Sequence, residues 1–423
     1  MKLAIKNARI IDPATGRDSQ GDLYIADGKI SAEIGKPDRT IDAKGLIAAP
    51  GFIDIAARLR EPGFEYKATL ESEMQAAVAG GVTSLACPPD TDPPLDEPGL
   101  VDMLRRRAKA LAHARVYPIG ALTVKLEGKR LTEMAQLAET GCVAFSQANT
   151  PLADTQVLWR ALQYAATFGF PVWLRAEDTW LAKGGVSHDG EVATRLGLPG
   201  IPPFAETIAL ATLLELVRAT RARVHVCRLS TAGAVEMMRA AKREGLPVTC
   251  DVAIHHLHLS EKDLGYFDAN CRLEPPLRSE RDRDALARGV EDGTIDCVCS
   301  DHTPVDEDGK HLPFAEAEPG ATGLELLLPL TLKWGEARRL PLAKTLAKIT
   351  SDAARVLGVG SGKLALGAPG DIALFDPQAT LRISAETLKS QGKNTPFLGY
   401  ELAGRVRYTI VAGNVVYDPM GGA

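Results

Sequence analysis

Between residues 51 and 350 the chain alternates short apolar runs with longer stretches whose apolar residues return every three or four positions. The short runs predict strands over 52–56, 82–87, 115–119, 142–145, 171–174, 223–227, 247–252 and 295–299. The longer stretches predict helices over 70–79, 100–112, 154–168, 205–219, 232–243 and 281–290. Eight strands alternating with helices over roughly 250 residues match the repeat number and size of a (β/α)8 TIM barrel. A doubly wound open sheet competes, but no G-x-G-x-x-G follows the first strand. The predicted fold class is therefore α/β, a (β/α)8 barrel.

The two ends are patterned differently. Residues 3–5, 8–11, 22–25 and 29–30 read as short strands, with a turn at Asp27-Gly28, and residues 370–375 and 407–417 as a strand and a hairpin. Two β-rich ends around an α/β middle predict that they pair into one small β-sandwich. The expected organisation is 1–50 and 351–423 for the two parts of the sandwich, and 51–350 for the barrel. The first residues alternate like a strand and carry no apolar signal-peptide core, and no run reaches membrane-spanning length.

Composition narrows the class of function. A 423-residue chain that is 45% hydrophobic can bury a large core, and a net charge of -5 without a long basic run gives no footprint for nucleic acid. The seven cysteines include no C-x-x-C pair, and Cys297 and Cys299 share one strand face as core residues do. An odd count without a disulfide framework fits a reducing, cytoplasmic setting.

Residues 50–63 read Pro-Gly-Phe-Ile-Asp-Ile-Ala-Ala-Arg-Leu-Arg-Glu-Pro-Gly. Later predicted strands end in Ser146-Gln147, Arg175-Ala176-Glu177-Asp178, Arg228-Leu229-Ser230-Thr231 and Ser300-Asp301-His302-Thr303-Pro304. These segments resemble the motifs of cyclic amidohydrolases, and of dihydroorotase in particular. The resemblance extends through Glu274-Pro275-Pro276-Leu277-Arg278 and Gly320-Ala321-Thr322-Gly323 to Gly370-Asp371-Ile372-Ala373. It implies the barrel and a binuclear zinc centre at the C-terminal ends of the strands. In the family an Asp follows Pro-Gly-Phe-Ile, and His-x-His comes next. Here Asp54 is in place, but the two His positions are Ala56 and Arg58.

Zinc takes neutral imidazole and anionic oxygen and keeps one position open for water. Alanine has no donor atom, and a guanidinium is cationic without a lone pair. Where the family has a bridging carboxylated Lys or Asp, the chain has Ser146 and Gln147; where it has further His, the chain has Arg175 and Arg228. The degenerate metal positions are thus Ala56, Arg58, Gln147, Arg175 and Arg228, and the expectation is a lost zinc site and no cofactor. Asp301 matches the family's metal-touching proton shuttle and is a vestigial acid/base. Arg60 and Asn270 match residues that grip the substrate, whereas Asp90 stands where an Asn belongs and Val305 where a His belongs. Three arginines at one place would repel a divalent cation. They can serve as ion-paired fillers, with Asp301 or Asp54, or as an anion pocket.

The His255-His256-Leu257-His258 run is expected to be structural, as is His302 beside Asp301, while His113, His188 and His311 are expected at the surface. The resemblance extends to inactive dihydroorotase-like chains that serve as non-catalytic subunits of aspartate transcarbamoylase in pyrimidine synthesis. It implies the aspartate transcarbamoylase catalytic chain as partner, together with self-association, and no membrane or nucleic acid. Two alternatives stand beside it. One is a live cyclic amidohydrolase rebuilt from Asp301, His302, His225 and His255; the other is an anion or nucleotide sensor using Arg58, Arg60, Arg175 and Arg228.

Overall fold

The structure, a computed structural model, describes residues 1–419. The last four positions of the expected C-terminal segment lie outside the described residues. Val82–Cys87 is buried at all six positions, as a parallel strand covered on both faces must be. It lies second in a parallel sheet ordered Phe52–Asp54, Val82–Cys87, Arg115–Ala121, Ala144–Ser146, Val172–Leu174, Val224–Val226, Val248–Ala253 and Cys297–Cys299. Chain order and spatial order coincide, which is the barrel topology.

The seam between the first and last strands is closed by a bridge rather than a full ladder. Ala57 pairs with His302 in parallel, with Arg58 N–H to His302 O at 2.9 Å and His302 N–H to Ala56 O at 3.1 Å. The fully buried His302 ring bonds Glu73 Oε2 through Nε2 at 2.6 Å and accepts the Gly323 N–H at Nδ1. Glu73 in turn accepts from Ser390 Oγ and the Gln391 N–H, so this imidazole ties the first helix and the C-terminal loop to the seam. His302 is structural.

The helices follow their apolar stripes. Thr155–Phe168 buries Leu158, Ala161, Leu162 and Ala165, a 3–4 spacing, and Asp154 caps it by accepting from Gln156 and Val157. Helix Pro98–Leu111 starts two residues before the expected position because its proline occupies the first turn, where the missing N–H costs nothing.

The terminal segments join in one eight-stranded sheet. Ile47–Pro50 runs parallel to Leu3–Asp12 on one side and antiparallel to Ile372–Arg382 on the other, which links the two ends of the chain in one ladder. The expected small sandwich therefore takes the form of a single sheet around its own core of Leu3, Ile5, Ile10, Ile25, Ile372 and Ile410. Leu3–Asp12 reads as two runs in sequence because Asn7, at φ 63°, forms a bulge between Ile5 and Ala8. The Asp27-Gly28 turn has φ of 50° and 74°, the paired positive values of a tight hairpin.

After the fifth strand, Ser187–His188 pairs with Gly200–Ile201 in a small excursion. It buries His188 to 7% exposure beside Arg278, against the expectation that this ring is at the surface. No helix among the described residues is long and apolar enough to cross a membrane.

Candidate functional site

At the C-terminal ends of the strands the arginines meet one another's partners. Arg58, after the first strand, donates through Nε to Asp90 Oδ2 at 2.7 Å and through Nη1 to Asp301 Oδ1 at 3.2 Å and Thr303 Oγ1 at 3.0 Å. Arg228, after the sixth, donates through Nη1 to the same Asp301 Oδ1 at 2.7 Å. Arg175, after the fifth, holds Glu177 through two parallel bonds of 2.6 and 2.8 Å and reaches Glu274 Oε1 at 2.8 Å. Asn149, on the loop after the fourth strand, joins all three. Its Oδ1 accepts from Arg58 Nη2 at 3.0 Å and Arg228 Nη2 at 2.7 Å, and its backbone oxygen accepts from Arg175 Nη2 at 2.9 Å. Its Nδ2 donates to Glu274 Oε2.

This cluster is buried: the Arg58, Arg175 and Arg228 side chains are 4%, 4% and 5% exposed. A buried charge without a partner is very costly, so what matters is the balance. Arg60 sits beside Arg58 and donates to the Pro304 carbonyl at 2.9 Å. Arg58, Arg175 and Arg228 therefore pair with the carboxylates of Asp90, Asp301, Glu177 and Glu274, while Arg60 has only a carbonyl as hydrogen-bond partner among the described residues and Arg272 borders Glu274 and Glu177. Burial works against the charge on Arg58, yet Asp90 and Asp301 hold it above the ordinary guanidinium range. Burial likewise opposes ionisation of Asp90, and Arg58 outweighs it, leaving that carboxyl below its usual value. Arg60, Arg228 and Asp301 all have φ between 48° and 61°, the left-handed turn in which each of these strand ends leaves the barrel.

The other expected site residues separate from this cluster. Gln147 turns toward the third-strand loop, bonding Thr123 Oγ1 and the Leu126 carbonyl. Ala56 packs in the barrel interior with Ile53, Ile55 and Trp173. Asn270 lies in a short turn capped by Asp268, and among the described residues no hydrogen bond links it to the arginines. His255 and His256 are buried and pushed down to about 3, and His258 to about 4, first by desolvation, so all three rings are neutral near pH 7.

Asp54 is fully buried and fastens the seam rather than pairing with an arginine. It accepts from the Ser300 N–H at 3.0 Å, the Ala56 N–H at 3.3 Å and the Ser300 hydroxyl. Burial lifts its carboxyl to about 6 from 3.8 in spite of those donors. The folded state then binds this proton more tightly than the unfolded chain, so the Asp54 contribution to stability falls as pH rises through that interval. Asp54→Asn, which keeps an acceptor and adds a donor, lacks that slope. Its unfolding free energy relative to the wild type is expected to improve between pH 4 and 7 by up to about 3 kcal/mol. Urea titrations of both proteins across that range measure it, and parallel curves would refute the assignment.

The arginines of the mouth offer zinc no donor atom, since a guanidinium has no lone pair, and the carboxylates beside them are taken up in ion pairs. The chain nevertheless does bring metal-type donors together, which the sequence did not lead one to expect. His225, Cys227 and Asp251 place one ligand atom each within 4.8 Å of one another, just before Arg228 on the sixth strand and on the neighbouring seventh. A nitrogen, a sulfur and a carboxylate oxygen suit a borderline-soft cation. Both His225 nitrogens are engaged, Nε2 with Asp251 Oδ2 at 2.7 Å and Nδ1 with Thr249 Oγ1 at 2.8 Å. Burial and then Asp251 raise the Cys227 thiol, keeping it protonated. A cation would enter only by displacing these bonds. Asp301, His302 and His255 are not part of this group.

Asn149 and Glu274 escaped the sequence reading. Glu274 opens the Glu-Pro-Pro-Leu-Arg motif, but nothing in its spacing shows that it reaches Arg175. The signal for Asn149 is weaker still, a single amide three residues past the fourth strand.

The profile of the Dihydro-orotase-like family matches residues 45–234, and that of the Amidohydrolase family residues 174–416. The chain is 44% identical over 423 residues to a dihydroorotase-like protein of Pseudomonas aeruginosa, covering 99% of this chain and 100% of that one. It is 41% identical over 424 residues to a dihydroorotase of a Geobacter species, with 99% and 100% covered. Among solved structures, the L-hydantoinase of Arthrobacter aurescens superposes with a TM-score of 0.88 at 24% identity, covering 100% of this chain and 97% of that one, which speaks to the fold. Family profiles, full-length relatives and barrel agree that this chain belongs to the dihydroorotase-like proteins of the amidohydrolase superfamily.

Proposed function

We propose that this chain is a non-catalytic dihydroorotase-like subunit that binds the aspartate transcarbamoylase catalytic chain and supports its assembly and activity in de novo pyrimidine biosynthesis. The observation that carries the reading is the ion pairing of Arg58, Arg175 and Arg228 in the mouth. Asp301, the one candidate acid/base, is bonded by both Arg58 and Arg228 and has no free role as a proton carrier. The same pairing weighs against an anion sensor at this place, because Arg58, Arg175 and Arg228 each already hold a carboxylate, and Arg60 donates to the Pro304 carbonyl. The inactive dihydroorotase-like chains that this one resembles are subunits of the transcarbamoylase, and the partner is taken from that likeness.

Co-expression of the two chains, with a tag on one, tests the reading. The expected result is a stable complex, transcarbamoylase activity that falls when this chain is omitted, and no dihydroorotate turnover by this chain alone. Turnover accompanied by about one equivalent or more of zinc would instead favour a live amidohydrolase, with His225, Cys227 and Asp251 the first residues to examine. Failure of the chains to associate would remove the partner.

A further inference from the structure

With the mouth arginines neutralised, uncompensated positive charge gathers at the opposite end of the barrel. Helix Pro98–Leu111 carries Asp102, Arg105, Arg106 and Lys109 at spacings of three and four, so these side chains share one face. That face borders a groove of about 870 Å³, closed on the other sides by the starts of the third and fourth strands and by the terminal sheet near Ala412. His113 and Arg115 add to the rim, and Asp102 is its one carboxylate. Arg106 spends its charge on Asp102 at 2.8 Å, and Arg115 on the buried Asp371. Two cations remain. Arg105 donates to the Thr140 carbonyl, covering the end of helix Met134–Thr140, and Lys109 makes no ion pair among the described residues. Between them the floor is apolar, with Val116, Val143 and the half-buried Tyr117. On a chain of net charge -5 this is a local inversion of sign.

We propose that this groove binds a small phosphorylated ligand with a flat apolar body, of the nucleotide class. The volume is that of a small-molecule site. Arginine and lysine are the usual phosphate partners, and guanidinium and tyrosine faces accept a planar ring. Arg105 and Lys109 stand about 6 Å apart along the helix axis, a span that suits a di- or triphosphate better than an extended polymer. The site is remote from the barrel mouth and does not depend on the transcarbamoylase reading.

Calorimetric titration of ATP into the full chain tests it, with pyrophosphate, adenosine and a hexaglutamate peptide as competitors. The expected result is saturable one-to-one binding, displaced by pyrophosphate and more weakly by adenosine, and weakened about tenfold or more in Arg105→Ala/Lys109→Ala. Both side chains are exposed, so the double variant should fold, which circular dichroism verifies. Arg160→Ala, on another exposed helix face, should bind as the wild type does. Absence of saturable binding, equal loss in Arg160→Ala, or no loss in the double variant would overturn the proposal. So would displacement of ATP by hexaglutamate at lower concentration than by pyrophosphate, since the groove would then be a docking site for an acidic chain.

Discussion

Replacing Asp301 by alanine is expected to destabilise the protein by about 3–5 kcal/mol, the cost of stranding buried charges without their counter-ion. Arg58 and Arg228 both donate to the same Asp301 oxygen, and both are buried. Without it the two guanidiniums face each other with only Asp90, Thr303 and Asn149 to share. Asp301→Asn keeps an acceptor but not the charge and should fall between. Replacing all three residues together by apolar side chains should cost less than the single change, because no orphaned charge remains. Urea denaturation followed by circular dichroism gives the order. The result separates two roles. An acid kept for chemistry is commonly held at some expense to stability, so its removal is neutral or stabilising. A structural counter-ion behaves in the opposite way. An Asp301→Ala protein as stable as the wild type would exclude the counter-ion role.

The second large effect concerns metal. Ala56→His, Arg58→His, Arg175→His and Arg228→His together remove three guanidiniums and supply four imidazoles on the same strand ends. The carboxylates of Asp90, Asp301, Glu177 and Glu274 stay behind. Zinc retained after dialysis is expected to rise by about one equivalent or more over the wild type. Dihydroorotate turnover is expected to stay absent, because Gln147 faces away toward Thr123 and cannot bridge two ions, and Asp90 would repel an acidic substrate. Metal analysis and a turnover assay on the folded variant decide this. A folded variant without added zinc would mean that the strand ends do not present these positions to a common point. A wild type retaining as much zinc as the variant would mean that the guanidiniums do not exclude it, and that His225, Cys227 and Asp251 hold an ion.

The alternation of apolar runs and helical stripes was enough to place the eight barrel strands and six of the helices, because each element's pattern reflects its own burial. Val82–Cys87 and Ala232–Arg243 begin and end where that pattern does. The motif around Asp54 was equally legible as a family resemblance, since Pro-Gly-Phe-Ile-Asp and the Arg-Glu-Pro-Gly that follows stand at a known spacing. What the mouth arginines do was not legible. Arg58 and Asp301 are 243 residues apart, and their bond exists because Ala57 and His302 meet across the barrel seam. Asn149 is inconspicuous in sequence, yet the barrel brings three strand ends around it. The groove on helix Pro98–Leu111 shows the same division. Its cations follow from the helical period, but its floor comes from the third strand and the entry to the fourth, and its far wall from the hairpin at 411–414. Local sequence decides which residues share a face, because that is set by backbone period. Whether a buried charge is a ligand, a filler or a free site depends on which distant carboxylate arrives opposite it, and only the closed barrel decides that.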